Sequence, residues 1–91
     1  MNIDITSRGF TPSSDLIELI NTKVEKLSKF DKNISDIKVV LKKESRAEKV
    51  ELIITSKNRK YVTKCYSSVF EKTMVNAIDN IKVQISKKDK R

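Results

Sequence analysis

Polar and apolar residues alternate through Asn2-Ile3-Asp4-Ile5-Thr6, the period of a strand with one buried face. The segment Arg8-Gly9-Phe10-Thr11-Pro12 breaks that pattern and holds the chain's single glycine and single proline. The period then changes. Leu16, Ile20, Val24, Leu27 and Phe30 recur at helical spacing, with Ile17 and Leu19 widening the stripe. A first helix is expected from about Ser14 to Phe30, capped by Ser13 or Ser14, with Asp15 and Glu18 favouring its N-terminal dipole. Asp31-Lys32-Asn33 reads as a loop.

Alternation returns over Ile37–Lys42, with Ile37, Val39 and Leu41 facing a core and Lys38, Val40 and Lys42 facing out. Lys43 to Ala47 reads as a turn. Val50, Leu52 and Ile54 form the next inward set, opposed by Glu51, Ile53 and Thr55. Ser56-Lys57-Asn58-Arg59 reads as a hairpin turn without glycine, followed by a strand over Tyr61–Tyr66. Turning Tyr61, Thr63 and Cys65 inward keeps Lys64 out of the core. Ser67 or Ser68 can open a last helix whose inner side carries Phe70, Met74, Ala77, Ile78, Ile81 and Ile85.

The order β-α-β-β-β-α predicts an α+β fold, a four-stranded sheet with both helices packed on one face. Strands two to four form an antiparallel meander, and strand one reaches its neighbour across the first helix. A single domain is expected over 1–85, followed by a basic, flexible tail over 86–91.

Charge sharpens this picture. The 91 residues include 20 Lys+Arg and 12 Asp+Glu, a net charge of +8. Ten bases and nine acids fall in residues 1–51, against ten bases and three acids in 52–91. Such asymmetry suits a surface directed at a polyanion, although solubility alone also favours excess charge. A lone cysteine, Cys65, excludes an intramolecular disulfide. With no signal peptide at Met1 and no apolar run near the ~20 residues of a membrane span, the cytoplasm is the expected location and no membrane partner is expected.

Enzymatic chemistry has little to work with. The chain has no histidine, and one glycine cannot build a phosphate-binding glycine loop. One cysteine and scattered carboxylates are too little for a zinc or iron centre, so no metal, cofactor or small-molecule substrate is expected. Cys65 would need an activating neighbour, and the adjacent Lys64 points to the other sheet face.

Cations do form patterns. Lys23, Lys26 and Lys29 recur three residues apart along one flank of the first helix, beside the apolar stripe. An ordinary solvated helix face, with Glu25 and Lys29 as an i,i+4 pair, accounts for the same spacing. Lys82, Lys87, Lys88, Lys90 and Arg91 crowd the C-terminal end, beyond what a helix terminus needs. Lys57, Arg59 and Lys60 form a third cluster, which can equally protect a strand edge from aggregation. The aromatic residues are Phe10, Phe30, Phe70, Tyr61 and Tyr66. Phe30 and Phe70 read as core, and no aromatic pair stands on adjacent strands as a base-stacking platform would require. Phosphate and shape recognition of folded RNA is therefore favoured over sequence reading.

Several stretches resemble the ribosome hibernation promoting factor and ribosome-associated inhibitor family, in its short form. They are Ile3-Asp4-Ile5-Thr6-Ser7-Arg8, Thr22-Lys23-Val24-Glu25-Lys26-Leu27-Ser28-Lys29-Phe30 and Ile37-Lys38-Val39-Val40-Leu41-Lys42-Lys43-Glu44. The last helix matches through Phe70-Glu71-Lys72, Ala77-Ile78-Asp79-Asn80-Ile81-Lys82 and Gln84-Ile85. The resemblance covers nearly the whole chain through order and spacing, not through one diagnostic motif. It implies the same fold and binding to the small (30S) ribosomal subunit in the channel used by mRNA and tRNA. Translation would be blocked in stationary phase or stress. It also implies contacts to 16S rRNA from Lys23, Lys26, Lys29, Lys82, Lys87 and Lys88, with Arg8 a looser match; the basic tail adds Lys90 as a candidate contact, and a monomer is expected away from the ribosome.

The chain departs from the family at Val69, Val75 and Val83, where more polar residues are usual, and, as a short form, it is expected to be without the long form's C-terminal dimerisation domain. Three other readings stay open. One is a generic binder of double-stranded or structured RNA, or a ribosome-assembly domain. Another is a protein-interaction module using a sheet edge or an exposed Val40–Ile53 patch. The third is a small enzyme built on Cys65.

Overall fold

In the computed structural model, which describes residues 1–88, the elements run β1 (Asn2–Arg8), α1 (Ser14–Glu25), a 3₁₀ turn (Lys26–Lys29), β2 (Ile34–Glu44), β3 (Ala47–Ser56), β4 (Arg59–Ser67) and α2 (Phe70–Lys88). The sheet order is β1-β2-β3-β4, with β1 parallel to β2 and the other pairs antiparallel. This is the expected α+β arrangement. The inward residues of every strand and of both helices meet in one core, so the helices cover a single face of the sheet. Leu27, Leu41, Leu52, Ile54, Met74 and Ile81 are fully buried within it. Each such side chain contributes about 1.5–3 kcal/mol relative to exposure.

Local chemistry explains the joints. Gly9 has φ +87°, and a Cβ there would lie 3.2 Å from the Lys43 carbonyl oxygen, so the turn after β1 requires glycine. Ser13 caps α1, its Oγ accepting from the Leu16 N–H at 3.1 Å. The β3–β4 hairpin turns through Lys57 and Asn58, and Asn58 takes the left-handed φ of 64° that a glycine would otherwise supply.

The structure corrects the sequence expectation at several places. α1 stops at Glu25 and tightens into the 3₁₀ turn, in which the Phe30 N–H bonds to the Leu27 carbonyl at 2.9 Å. That rotation swings Phe30 off the apolar stripe, and it is 49% exposed instead of core. Val40, expected to face solvent, does lie on the outer sheet face but is only 6% exposed, because long neighbours such as Lys42, Lys49 and Tyr66 wall it in. With Ile53 also half-buried, the expected exposed Val40–Ile53 patch does not exist. α2 runs to Lys88, so Ser86, Lys87 and Lys88 continue the helix past the boundary expected at 85.

α2 also begins at Phe70, not at a capping serine. The Val69 carbonyl accepts from the Thr73 N–H, and the Phe70 N–H donates at 2.6 Å to Oε1 of Glu48 on β3. A carboxylate from another element therefore satisfies the helix terminus and its dipole. Glu48→Ala is expected to destabilise the fold by about 1–2 kcal/mol, with Glu48→Gln recovering part of the loss. Chemical denaturation of the two variants checks this.

Asp31 was expected to be part of a plain loop and is buried instead. Its Oδ2 accepts from Ser56 Oγ at 2.8 Å and from Tyr61 Oη at 2.9 Å, and its Oδ1 accepts from the Asn33 N–H at 2.9 Å. The α1–β2 connection is thereby tied to β3 and β4. At the open edge of the sheet, Gln84 of α2 donates to the Val62 carbonyl at 2.9 Å, partly covering the free edge of β4.

Candidate nucleic-acid interface

The apolar stripe of α1 must turn Ile20, Val24 and Leu27 into the core, and this alone fixes where its lysines stand. Lys23 is half-buried at the border of the stripe, and Lys26 is exposed beside it. In the α-helix a step of three residues falls about 60° short of a full turn. In the 3₁₀ turn the same step comes back into line, so Lys29 stacks over Lys26 instead of drifting away.

On α2 the buried positions Met74, Ala77, Ile78, Ile81 and Ile85 define the inner face. Lys82 then falls on the flank towards α1. Lys23 and Lys26 from α1 and Val75, Ile78, Asp79 and Lys82 from α2 line one groove of about 190 Å³ between the helices. Its floor is apolar and its walls carry three cations against one carboxylate. Among the described residues, Asp79 forms no ion pair with these lysines. Lys26 also borders an adjoining groove with Lys29, Glu25 and Ile3, so the basic strip continues past the end of α1.

The displaced Phe30 belongs to this site. Lys82 Nζ lies 5.1 Å from the centroid of its ring. Attraction to the ring face holds the ammonium group over the junction of the two helices. Nothing in the sequence signals this contact, because Phe30 also fits a helical stripe.

Four of the proposed contacts thus come together: Lys23, Lys26, Lys29 and Lys82. Lys87 does not join them, since a step of five residues puts it about 140° around α2 from Lys82. Lys88 stands in the last described turn of α2, and Lys90 lies outside the described residues. Arg8 stands apart as well. Ile3 and Ile5 face the core, so alternation along β1 turns Arg8 to the opposite side of the sheet from the helices. There it stands beside Lys42 and Lys49, which sequence reasoning did not single out as contacts.

Cys65 is half-buried and accepts from Asn80 Nδ2 at 3.2 Å, while Lys64 pairs with Glu51 at 3.7 Å on the other sheet face. Among the described residues no group of three or more His, Cys, Asp or Glu side chains gathers, and no helix is long and apolar enough to cross a membrane.

The family model described as "Sigma 54 modulation protein / S30EA ribosomal protein" matches residues 3–91. Among solved structures, a ribosomal subunit interface protein from Coxiella burnetii superposes with a TM-score of 0.92 at 21% identity, covering 100% of both chains. The N-terminal domain of Protein Y from Thermus thermophilus superposes with a TM-score of 0.86 at 16% identity, covering 96% of this chain and 98% of that one. At these identities the likeness is one of fold. No curated protein sequence matches significantly.

Proposed function

Because the chain belongs to the Sigma 54 modulation protein / S30EA ribosomal protein family, we propose that it is a ribosome hibernation factor, which occupies the mRNA and tRNA channel of the small (30S) subunit and inhibits translation during stationary phase or stress. The observation that supports this reading best is the groove between the helices, where Lys23, Lys26 and Lys82 converge around a single carboxylate. Spaced cations over an apolar floor suit the phosphates of folded 16S rRNA. Lys29 extends the strip along the same flank. The action is steric and electrostatic, with no chemical step, so the protein works as a reversible plug whose occupancy follows its affinity.

Four phosphate contacts, from Lys23, Lys26, Lys82 and Lys29, predict a salt dependence of known size. Raising salt from 50 to 200 mM should weaken binding to purified 30S subunits by about 50- to 150-fold, measured by co-sedimentation. A flat response would remove the phosphate-dominated interface. The same assay separates the channel from generic RNA binding. Excess mRNA or tRNA should displace the protein from 30S subunits, whereas an unrelated RNA duplex at the same concentration should not. Equal displacement by the duplex would favour a general binder of structured RNA.

A further inference from the structure

The outer face of the sheet, on the side away from the helices, has a polarised surface of its own. Its last cross-strand row is Arg8, Lys42, Lys49 and Tyr66, one residue from each strand in register. Neighbouring strands are about 4.8 Å apart, so this row spans about 14 Å. Tyr66 is 72% exposed. Among the described residues its ring has no aromatic partner and its hydroxyl no hydrogen bond. Beside it lies a shallow groove of about 320 Å³, walled by Lys42, Lys49, Lys64 and Tyr66 and floored by Val40.

Charge on this face is incompletely balanced. Lys49 pairs with Glu44 at 3.1 Å and Lys64 with Glu51 at 3.7 Å. Arg8 and Lys42 have no ion pair among the described residues. An exposed ring over an apolar floor, continued along a row of cations, is complementary to a flat aromatic group joined to anions.

We propose that this outer face is a second RNA site, at which an unpaired base of a single-stranded segment stacks on Tyr66 while adjoining phosphates run along Lys49, Lys42 and Arg8. The site reads a strand and not a sequence, because stacking accepts any base and no donor or acceptor pattern is built around the ring. It is independent of the groove between the helices, since the sheet separates the two. A protein bearing both surfaces can hold folded RNA on one side and an unpaired strand on the other. It also gives Arg8, which stands apart from the helix lysines, a set of basic neighbours.

The sequence makes the test direct. The chain has no tryptophan and two tyrosines, and Tyr61 is buried, so quenching of tyrosine emission by a stacked base reports on Tyr66. The full chain would be titrated at low salt with a fluorescently labelled single-stranded oligouridylate of about eight nucleotides, whose bases are little stacked on one another, a length within the usual site size of single-strand binders. Anisotropy gives affinity and tyrosine emission gives stacking. The unaltered chain should bind with partial quenching. Tyr66→Ala should bind at least five-fold more weakly, Tyr66→Phe should bind within about two-fold but without the quench, and Lys42→Glu should weaken binding and flatten its salt dependence. Absence of binding by the unaltered chain, equal affinity of Tyr66→Ala, or a Tyr66→Phe variant as weak as Tyr66→Ala would each overturn the proposal. No ribosome is present in this assay, so its failure leaves the 30S reading untouched, and failure of the 30S assay leaves this one standing.

Discussion

Replacing Lys23, Lys26 and Lys82 together with Glu is expected to abolish co-sedimentation with 30S subunits, a loss of at least about 1,000-fold in affinity. The three side chains line one groove, so they act on the same stretch of bound polyanion. A hydrogen bond to a charged partner contributes about 1.5–3 kcal/mol, and losing three gives roughly 5–9 kcal/mol before repulsion is counted. The fold should survive. Lys26 is exposed and Lys23 and Lys82 are only half-buried, so the main loss is the attraction between Lys82 and the Phe30 ring, about 0.5–1 kcal/mol. Circular dichroism melts would check that a drop in binding is not unfolding.

Lys87→Glu provides the contrast. It changes charge by the same amount per residue but stands about 140° from Lys82 around α2, so its effect on binding should be much smaller than that of Lys82→Glu. Equal losses at the two positions would mean that the bound RNA wraps around α2 and is not seated between the helices.

The largest expected effect on stability is at Asp31. Asp31→Ala removes the acceptor shared by Ser56 and Tyr61 and leaves both hydroxyls in a buried site. Stranding two buried donors costs about 1–3 kcal/mol each, so a loss of roughly 3 kcal/mol is expected, a fall in Tm of roughly 12–24 °C for a domain of this size. Asp31→Asn, which keeps one oxygen acceptor, should lose less, and Tyr61→Phe less again, because it removes one donor without stranding another. Thermal melts of the three variants would order them. A melt of Asp31→Ala within a few degrees of the unaltered protein would show that the loop needs no such anchor. The consequence reaches the interface, because Asp31 follows Phe30 directly. Loosening the loop frees the ring that holds Lys82, so Asp31→Ala should also weaken 30S binding below its melting temperature.

The residues that were legible in the sequence share one property: their placement depends on neighbours close along the chain. Alternation in β1 to β4 and the stripes of α1 and α2 assign each side chain to an inner or outer face, and Ile37, Leu52, Val24 and Ile81 lie buried as their periods require. The flank position of Lys23, Lys26 and Lys29 follows from the same stripe. So do the outward turn of Lys64 and the β-α-β-β-β-α order, whose amphipathic faces have one way to be buried together.

What depends on residues distant in sequence had to come from the tertiary structure. Whether Lys82 meets Lys23 across a groove is decided by how two helices lie on the sheet, which no local period encodes. Phe30 fits the core stripe in sequence and leaves it because the helix tightens at Lys26. Val40 reads as exposed and is covered by side chains from neighbouring strands. Asp31 reads as a loop residue until Ser56 and Tyr61, 25 and 30 residues away, close over it. The cap on α2 comes from Glu48 on β3, and the row of Arg8, Lys42, Lys49 and Tyr66 exists only through strand register. Periodicity states which way a side chain faces, and packing between elements decides what it faces.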